Sequence, residues 1–214
     1  LWFKVRSHAG NHSLQDSVRG ASLALQSDTT SADADVGTSQ ITAFNSDGFS
    51  LSSGGDVNTN NRTYVAWQWK AGTSFTNDAS STSVGSIDSA GSVNTTAGIS
   101  IISYTGTGTA GTFAHGLNAV PKMMILKRND GNGWSWIVYH VSMGNTKRTV
   151  LNNTGAAEAV DYFPASPTST VFSIKTNGNV NGSGGSYIAY FFAEKQGFSK
   201  FGSYVGNNST NGTF

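Results

Sequence analysis

The 214-residue chain contains no cysteine. That excludes a disulfide framework, a cysteine-bearing zinc site and a thiol nucleophile. Charge is also scarce: 12% of residues are charged and the net charge is +1. Ordinary soluble domains carry about twice that share. A nucleic-acid or acidic-membrane partner calls for a basic stripe. None is present, so neither nucleic acid nor membrane insertion is expected. No apolar run reaches the length of a membrane-spanning helix. The chain opens on Leu1-Trp2-Phe3-Lys4, with neither an initiating Met nor the basic-then-apolar pattern of a secretory leader. The expectation is a processed product or a part of something longer. Helix signals are nearly absent. The best candidate is Asp16 to Gln26, with apolar Val18, Leu23 and Leu25, and Gly20 interrupts it. A short turn is expected at 155–160.

What is present points to strands. Glycine numbers 26, proline only 3, and long stretches are Ser, Thr and Asn. Aromatics at 11% and hydrophobics at 37% are enough for a core, unlike a disordered chain. Short apolar blocks recur every ten to fifteen residues or so with turn residues between them. They predict strands at 1–6, 49–51, 63–70, 98–104, 122–128, 134–140, 171–175 and 186–193. The expected fold is all-β, a β-sandwich of jelly-roll type rather than alternating β and α units.

The blocks also repeat. Asp56-Val57-Asn58 and Tyr64-Val65-Ala66-Trp67-Gln68-Trp69 return 123 residues later as Asn179-Val180-Asn181 and Tyr187-Ile188-Ala189-Tyr190-Phe191-Phe192. At the same offset Lys4 meets Lys127, and Phe49-Ser50 meet Phe172-Ser173. The reading is two tandem β-sandwich units related by an internal repeat. Residues 1–72 form a first unit lacking its first strand, 73–97 a polar linker or arm, and 98–193 a complete second unit. Residues 194–214 resemble the opening of the second unit. Gly197-Phe198-Ser199 matches Gly98-Ile99-Ser100, Ser203-Tyr204-Val205-Gly206 matches Ser103-Tyr104-Thr105-Gly106, and Thr213-Phe214 matches Thr112-Phe113. They are expected to form an orphan strand that completes the first unit, a neighbouring molecule or a third unit. Its aromatic residues Phe198, Phe201, Tyr204 and Phe214 are the candidate assembly contacts. Bare sheet edges invite such pairing.

Candidate chemical sites are sparse. Trp67 and Trp69 fall at the positions of Tyr190 and Phe192, which reads as core. Trp134 follows a Gly/Asn turn with Asn132 in it, and these two are the candidate ligand contacts, suited to a sugar ring. His115 sits in a turn with no partner for metal or nucleophile chemistry. Asp28, Asp33 and Asp35 lie close together but lack the spacing of a calcium loop. The glycine-rich runs at 106–108 and 182–185 lack the Lys-Ser/Thr of a phosphate loop and read as hairpin turns. No carboxylate pair stands out among the 12 acidic residues, as glycan cleavage would need. The sequence therefore predicts no catalytic, cofactor or metal site, and no enzyme.

Several motifs together resemble a known family. They are Asp16-Ser17-Val18-Arg19-Gly20, Phe44-Asn45-Ser46-Asp47-Gly48-Phe49, Tyr64 to Gly72, Gly98 to Gly108, His115-Gly116-Leu117 and Pro121 to Arg128. The set is similar to a repeated virion-protein domain of uncharacterised function, found in tail-fibre-like proteins of tailed phages of marine bacteria and cyanobacteria. The resemblance covers nearly the whole chain apart from 73–97. It implies a structural protein on the virion surface, in a tail fibre or spike, that assembles with further copies and other virion proteins and attaches to host-surface glycan. Capsid decoration or a head fibre is the alternative it leaves open, and a glycan depolymerase the remote one. It supplies no catalytic residue.

Overall fold

In a computed structural model, residues 1–53, 55–208 and 210 are described. The first 72 residues form β1 (Trp2–Val5), β2 (His12–Asp16), β3 (Gly20–Gln26), β4 (Ala34–Asp35), β5 (Ile41–Phe44), β6 (Phe49–Leu51) and β7 (Tyr64–Trp67). Next come β8 (Thr73–Asn77), the helical turn α1 (Ala79–Thr82), β9 (Ser89–Asn94), β10 (Ile99–Thr105) and β11 (Gly111–Ala114). The remainder contains β12 (Met123–Arg128), β13 (Ile137–His140), β14 (Lys147–Val150), β15 (Glu158–Ala159), β16 (Val171–Ile174), the turn α2 (Gly178–Asn181) and β17 (Ser186–Phe192). Among the described residues no helix is long and apolar enough to cross a membrane.

The fold is all-β and sandwich-like. One sheet runs β4-β3-β2-β1-β7, and a larger one runs β15-β14-β13-β12-β17-β10-β9-β8. Their facing surfaces bury Leu14 and Leu25 against Ile101, Ile125, Trp136, Ile188 and Tyr190. Behind the larger sheet, Met124, Leu126 and Phe191 pack on Phe113 and Phe172 of the β11–β16 pair. Behind the smaller sheet, Phe3 packs on Ile41, Phe44, Phe49 and Leu51 of the β5–β6 hairpin. Strands β12 and β17 are therefore covered on both faces. This is why they read as continuous apolar runs rather than alternating ones. Each fully buried Phe, Ile or Leu there contributes roughly 1.5–3 kcal/mol.

The two sheets share a pairing pattern. Trp2 pairs with Trp67 and Lys4 with Val65. Moved 123 residues along, these become Ile125 with Tyr190 and Lys127 with Ile188, which are also observed pairs. Ser13 pairs with Gln26, and 124 residues further on Ile137 pairs with Val150. Likewise Leu23 pairs with Asp35, and Lys147 with Ala159. Five strands in one sheet thus follow the order and register of five in the other.

Three expectations change. The helix expected over 16–26 is a hairpin. The Asp16 carboxylate accepts bonds from the Val18 and Arg19 amides, Gly20 takes φ +96°, and the chain turns back as β3. The polar stretch 73–97 is not a linker, since β8 pairs with β9 and β9 with β10. Its Ser/Thr composition suits the solvated margin of a sheet, and Gly91 lets β10 come close. A Cβ at Gly91 would lie 1.9 Å from the Ile101 carbonyl oxygen. Residues 194–208 form no strand beyond a single Lys195–Ser199 bridge. The turn expected at 155–160 includes the short edge strand β15.

Candidate functional site

The most developed polar arrangement joins the two sheets. The β2–β3 turn places Asp16 and Arg19 in the sandwich interior, where Arg19 Nε donates to Asp16 Oδ2 at 2.7 Å. Tyr190 of β17 donates its hydroxyl to the same oxygen at 2.6 Å. Arg19 also reaches Asp33, the Leu14 carbonyl at 3.0 Å and the Tyr190 hydroxyl at 3.3 Å. Asp33 in turn accepts from the Asn129 amide, next to β12. One buried guanidinium is thus shared by two carboxylates, and the network crosses from residues 16–33 to residues 129–190. Burial pushes the Asp16 carboxyl up. The Arg19 charge, then the Tyr190 and Arg19 hydrogen bonds, outweigh it and hold the group below the usual carboxylate value. Burial also pushes the Tyr190 hydroxyl well above its ordinary value, so it stays a donor. The chemistry is that of a latch: every charge is paired and no proton acceptor is exposed.

A concavity of about 520 Å³ is lined by Leu1, Asp16, Asp47, Gln68, Trp69 and Lys70 among others. A depression of about 460 Å³ is lined by Asn77, Asp78, Asp88, Ser103, Thr105 and Ser186 among others. Asp78 caps α1, accepting from the Ser80 and Ser81 amides and hydroxyls, and the Ser80 hydroxyl above all holds its carboxyl low. Asp88 accepts from the Ala79 amide. The Asp78 carboxyl is thus shifted opposite to the raised pKa of a general acid. Between the sheets lies a cavity of about 270 Å³ lined chiefly by apolar side chains, including Trp2, Trp69, Ile101, Trp136 and Phe201. Among the described residues no cluster of three or more His, Asp or Glu could hold a metal.

The residues singled out from the sequence have structural tasks. Trp134 carries the Arg128 guanidinium on its ring at 4.4 Å and lies against the backbone of Gly178. The Asn132 side chain accepts from the Ala32 amide at 2.9 Å. His115 is buried and bonds the Thr168 carbonyl and the Leu117 amide, with its pKa lowered to about 4 chiefly by burial. Asp28 and Asp35 accept from the His12 and Gly37 amides, and Asp33 belongs to the latch. Trp67 and Trp69 are only partly core: they remain 45% and 42% exposed, whereas Tyr190 is 6% exposed. Trp67 leans on Trp2 and Trp69 on Phe192. Of the candidate assembly residues, Phe198 and Tyr204 are exposed. Phe201 lies against His140 and Phe192, and Phe214 falls outside the described residues.

The latch was not foreseen as a site, although the run Asp16-Ser17-Val18-Arg19-Gly20 stood out as a motif. Its signal was a paired acid and base in a charge-poor chain, and the partner Tyr190 lies 174 residues away. No curated protein and no solved structure matches the chain. A family match spans residues 1–214 and carries the description "Domain of unknown function (DUF7483)", so the chain belongs to that family.

Proposed function

We propose that the chain is a structural virion protein of a tailed bacteriophage, a tail-fibre, spike or other surface component. Its work is assembly with further copies and other virion proteins, and attachment to host-surface glycan. One observation carries the reading: a five-strand pairing pattern occurs twice at nearly constant offset, with the two sheets stacked and latched. A duplicated β unit extends a rigid body without adding chemistry. The low charge and the Ser/Thr/Asn-rich surface favour hydrogen bonding to sugars or coat proteins over electrostatic capture. The sequence resemblance to tail-fibre-like phage proteins points the same way.

The test is gold-labelled antibody against this chain on purified phage particles, with peptide sequencing of those particles. Label on tails or fibres supports the reading. Label on the head shell replaces it with capsid decoration or a head fibre. Particles that contain no peptide of the chain overturn it. Release of reducing ends from host polysaccharide would turn it to a glycan depolymerase.

A further inference from the structure

We propose that the outer edge of β7 is a docking site for a strand from a second copy of this chain, and that residues 202–208 are the donated strand. The inference rests on pairing geometry and holds wherever the protein works.

In the larger sheet β17 lies between β12 and β10. Tyr104 pairs with Tyr187, Ile102 with Ala189 and Ser100 with Phe191. The register-equivalent strand β7 has β1 on one side, and among the described residues no strand on the other. The Arg6 amide bonds the Thr63 carbonyl. Antiparallel alternation then turns Val65 and Trp67 toward β1 and leaves the N–H and C=O of Tyr64 and Ala66 facing outward. These are the equivalents of Tyr187 and Ala189. Ala66 is exposed whereas Ala189 is fully buried.

A second edge is open in the same place. On β16 the bond from the His115 amide to the Thr170 carbonyl sets the alternation, so Phe172 and Ile174 face β11. On β6 the Asn45–Gly48 bond sets it, so Ser50 faces β5 while the backbone of Phe49 and Leu51 faces away. Phe49 and Leu51 lie 123 residues before Phe172 and Ile174. Strands β7 and β6 are therefore each unpaired on the side that β10 fills beside β17 and β11 fills beside β16.

The chain carries a sequence matched to those positions. Gly197-Phe198-Ser199 and Ser203-Tyr204-Val205-Gly206 follow Gly98-Ile99-Ser100 and Ser103-Tyr104-Thr105-Gly106, with one extra residue between. Within a single chain residues 202–208 belong to no strand, and Phe198, Tyr204 and Val205 are 72%, 72% and 93% exposed. Alignment with β10 sets Tyr204 opposite Tyr64, with its N–H toward the Tyr64 carbonyl. Donor and acceptor are different surfaces of the same molecule, so the contact is head-to-tail and builds a ring or an open filament.

Two full-length variants test this. Ala66→Pro removes an outward N–H from the acceptor edge and keeps the bonds to β1, as proline at a sheet edge allows. Tyr204→Pro removes a donor N–H from an exposed segment. Light scattering should give the parent a mass above 22.4 kDa that rises with concentration, and each variant alone 22.4 kDa. An equal mixture should form a closed pair of twice that mass, because one partner keeps a working acceptor and the other a working donor. A parent that stays at 22.4 kDa, variants that assemble like the parent, or a mixture that stays monomeric each overturn the proposal. If Ala66→Pro does not fold, Gln68→Pro is the second acceptor variant. A monomeric parent with a slowly exchanging Ala66 amide assigns the edge to the chain's own tail, which also overturns it.

Discussion

Replacing Tyr190 with Phe removes one oxygen from the latch and leaves the ring in place. The lost bond is 2.6 Å long and is buried at both ends. A hydrogen bond to a charged group contributes about 1.5–3 kcal/mol. Arg19 still neutralises Asp16, so the expected loss is about 2 kcal/mol at pH 7. For a chain of this size that lowers Tm by roughly 4–8 °C. The loss depends on pH. Asp16 has a folded pKa below its ordinary value, so its contribution is complete above about pH 4 and fades as pH falls toward the folded value. Tyr190 is one cause of that depression, so the gap between parent and variant narrows below pH 4. Urea unfolding at pH 7 and pH 3 reads both quantities. A gap under about 0.5 kcal/mol at pH 7, or a gap unchanged at pH 3, would refute the latch as a stabilising joint.

His115 has a pKa lowered to about 4 from 6.5. Its stabilisation is full above pH 6.5 and is lost on the way down to pH 4, a fall of about 3 kcal/mol, and His115→Gln should flatten that limb in urea titrations. Lys127 is fully buried and its ammonium donates to the Arg128 carbonyl at 2.6 Å. Burial lowers its pKa to about 8, so at pH 7 the charge is held at a cost that falls away above pH 8. Lys127→Met should raise the unfolding free energy read from urea titration by about 1–2 kcal/mol, and a lowered value would show that the ammonium is well solvated.

Strands with two buried faces were the most legible. Lys122 to Arg128 and Ser186 to Ala193 carry unbroken apolar runs, and they became β12 and β17 at the centre of the larger sheet. Strands at the margins were not legible. Thr73–Asn77 is largely exposed at the sheet edge, and the Ser/Thr runs there and in the more buried Ser89–Asn94 read equally well as linker. The hairpin at Asp16 looked helical because apolar spacing cannot register an aspartate bonding its own downstream amides. Nothing local to Trp134 announces the Arg128 guanidinium on its ring. The latch needs Asp16, Arg19, Asp33, Asn129 and Tyr190 together, and only the fold brings them there.

The central claim is that the two sheets follow one pairing pattern and that the first has an open strand position. Amide hydrogen exchange in the full-length Tyr204→Pro variant tests it most directly, because that chain keeps the acceptor edge and cannot fill it. Exchange should be slow at Ala189, close to the limit set by global unfolding, and fast at Ala66, whose N–H faces outward from β7. Equal, slow exchange at both amides would contradict it.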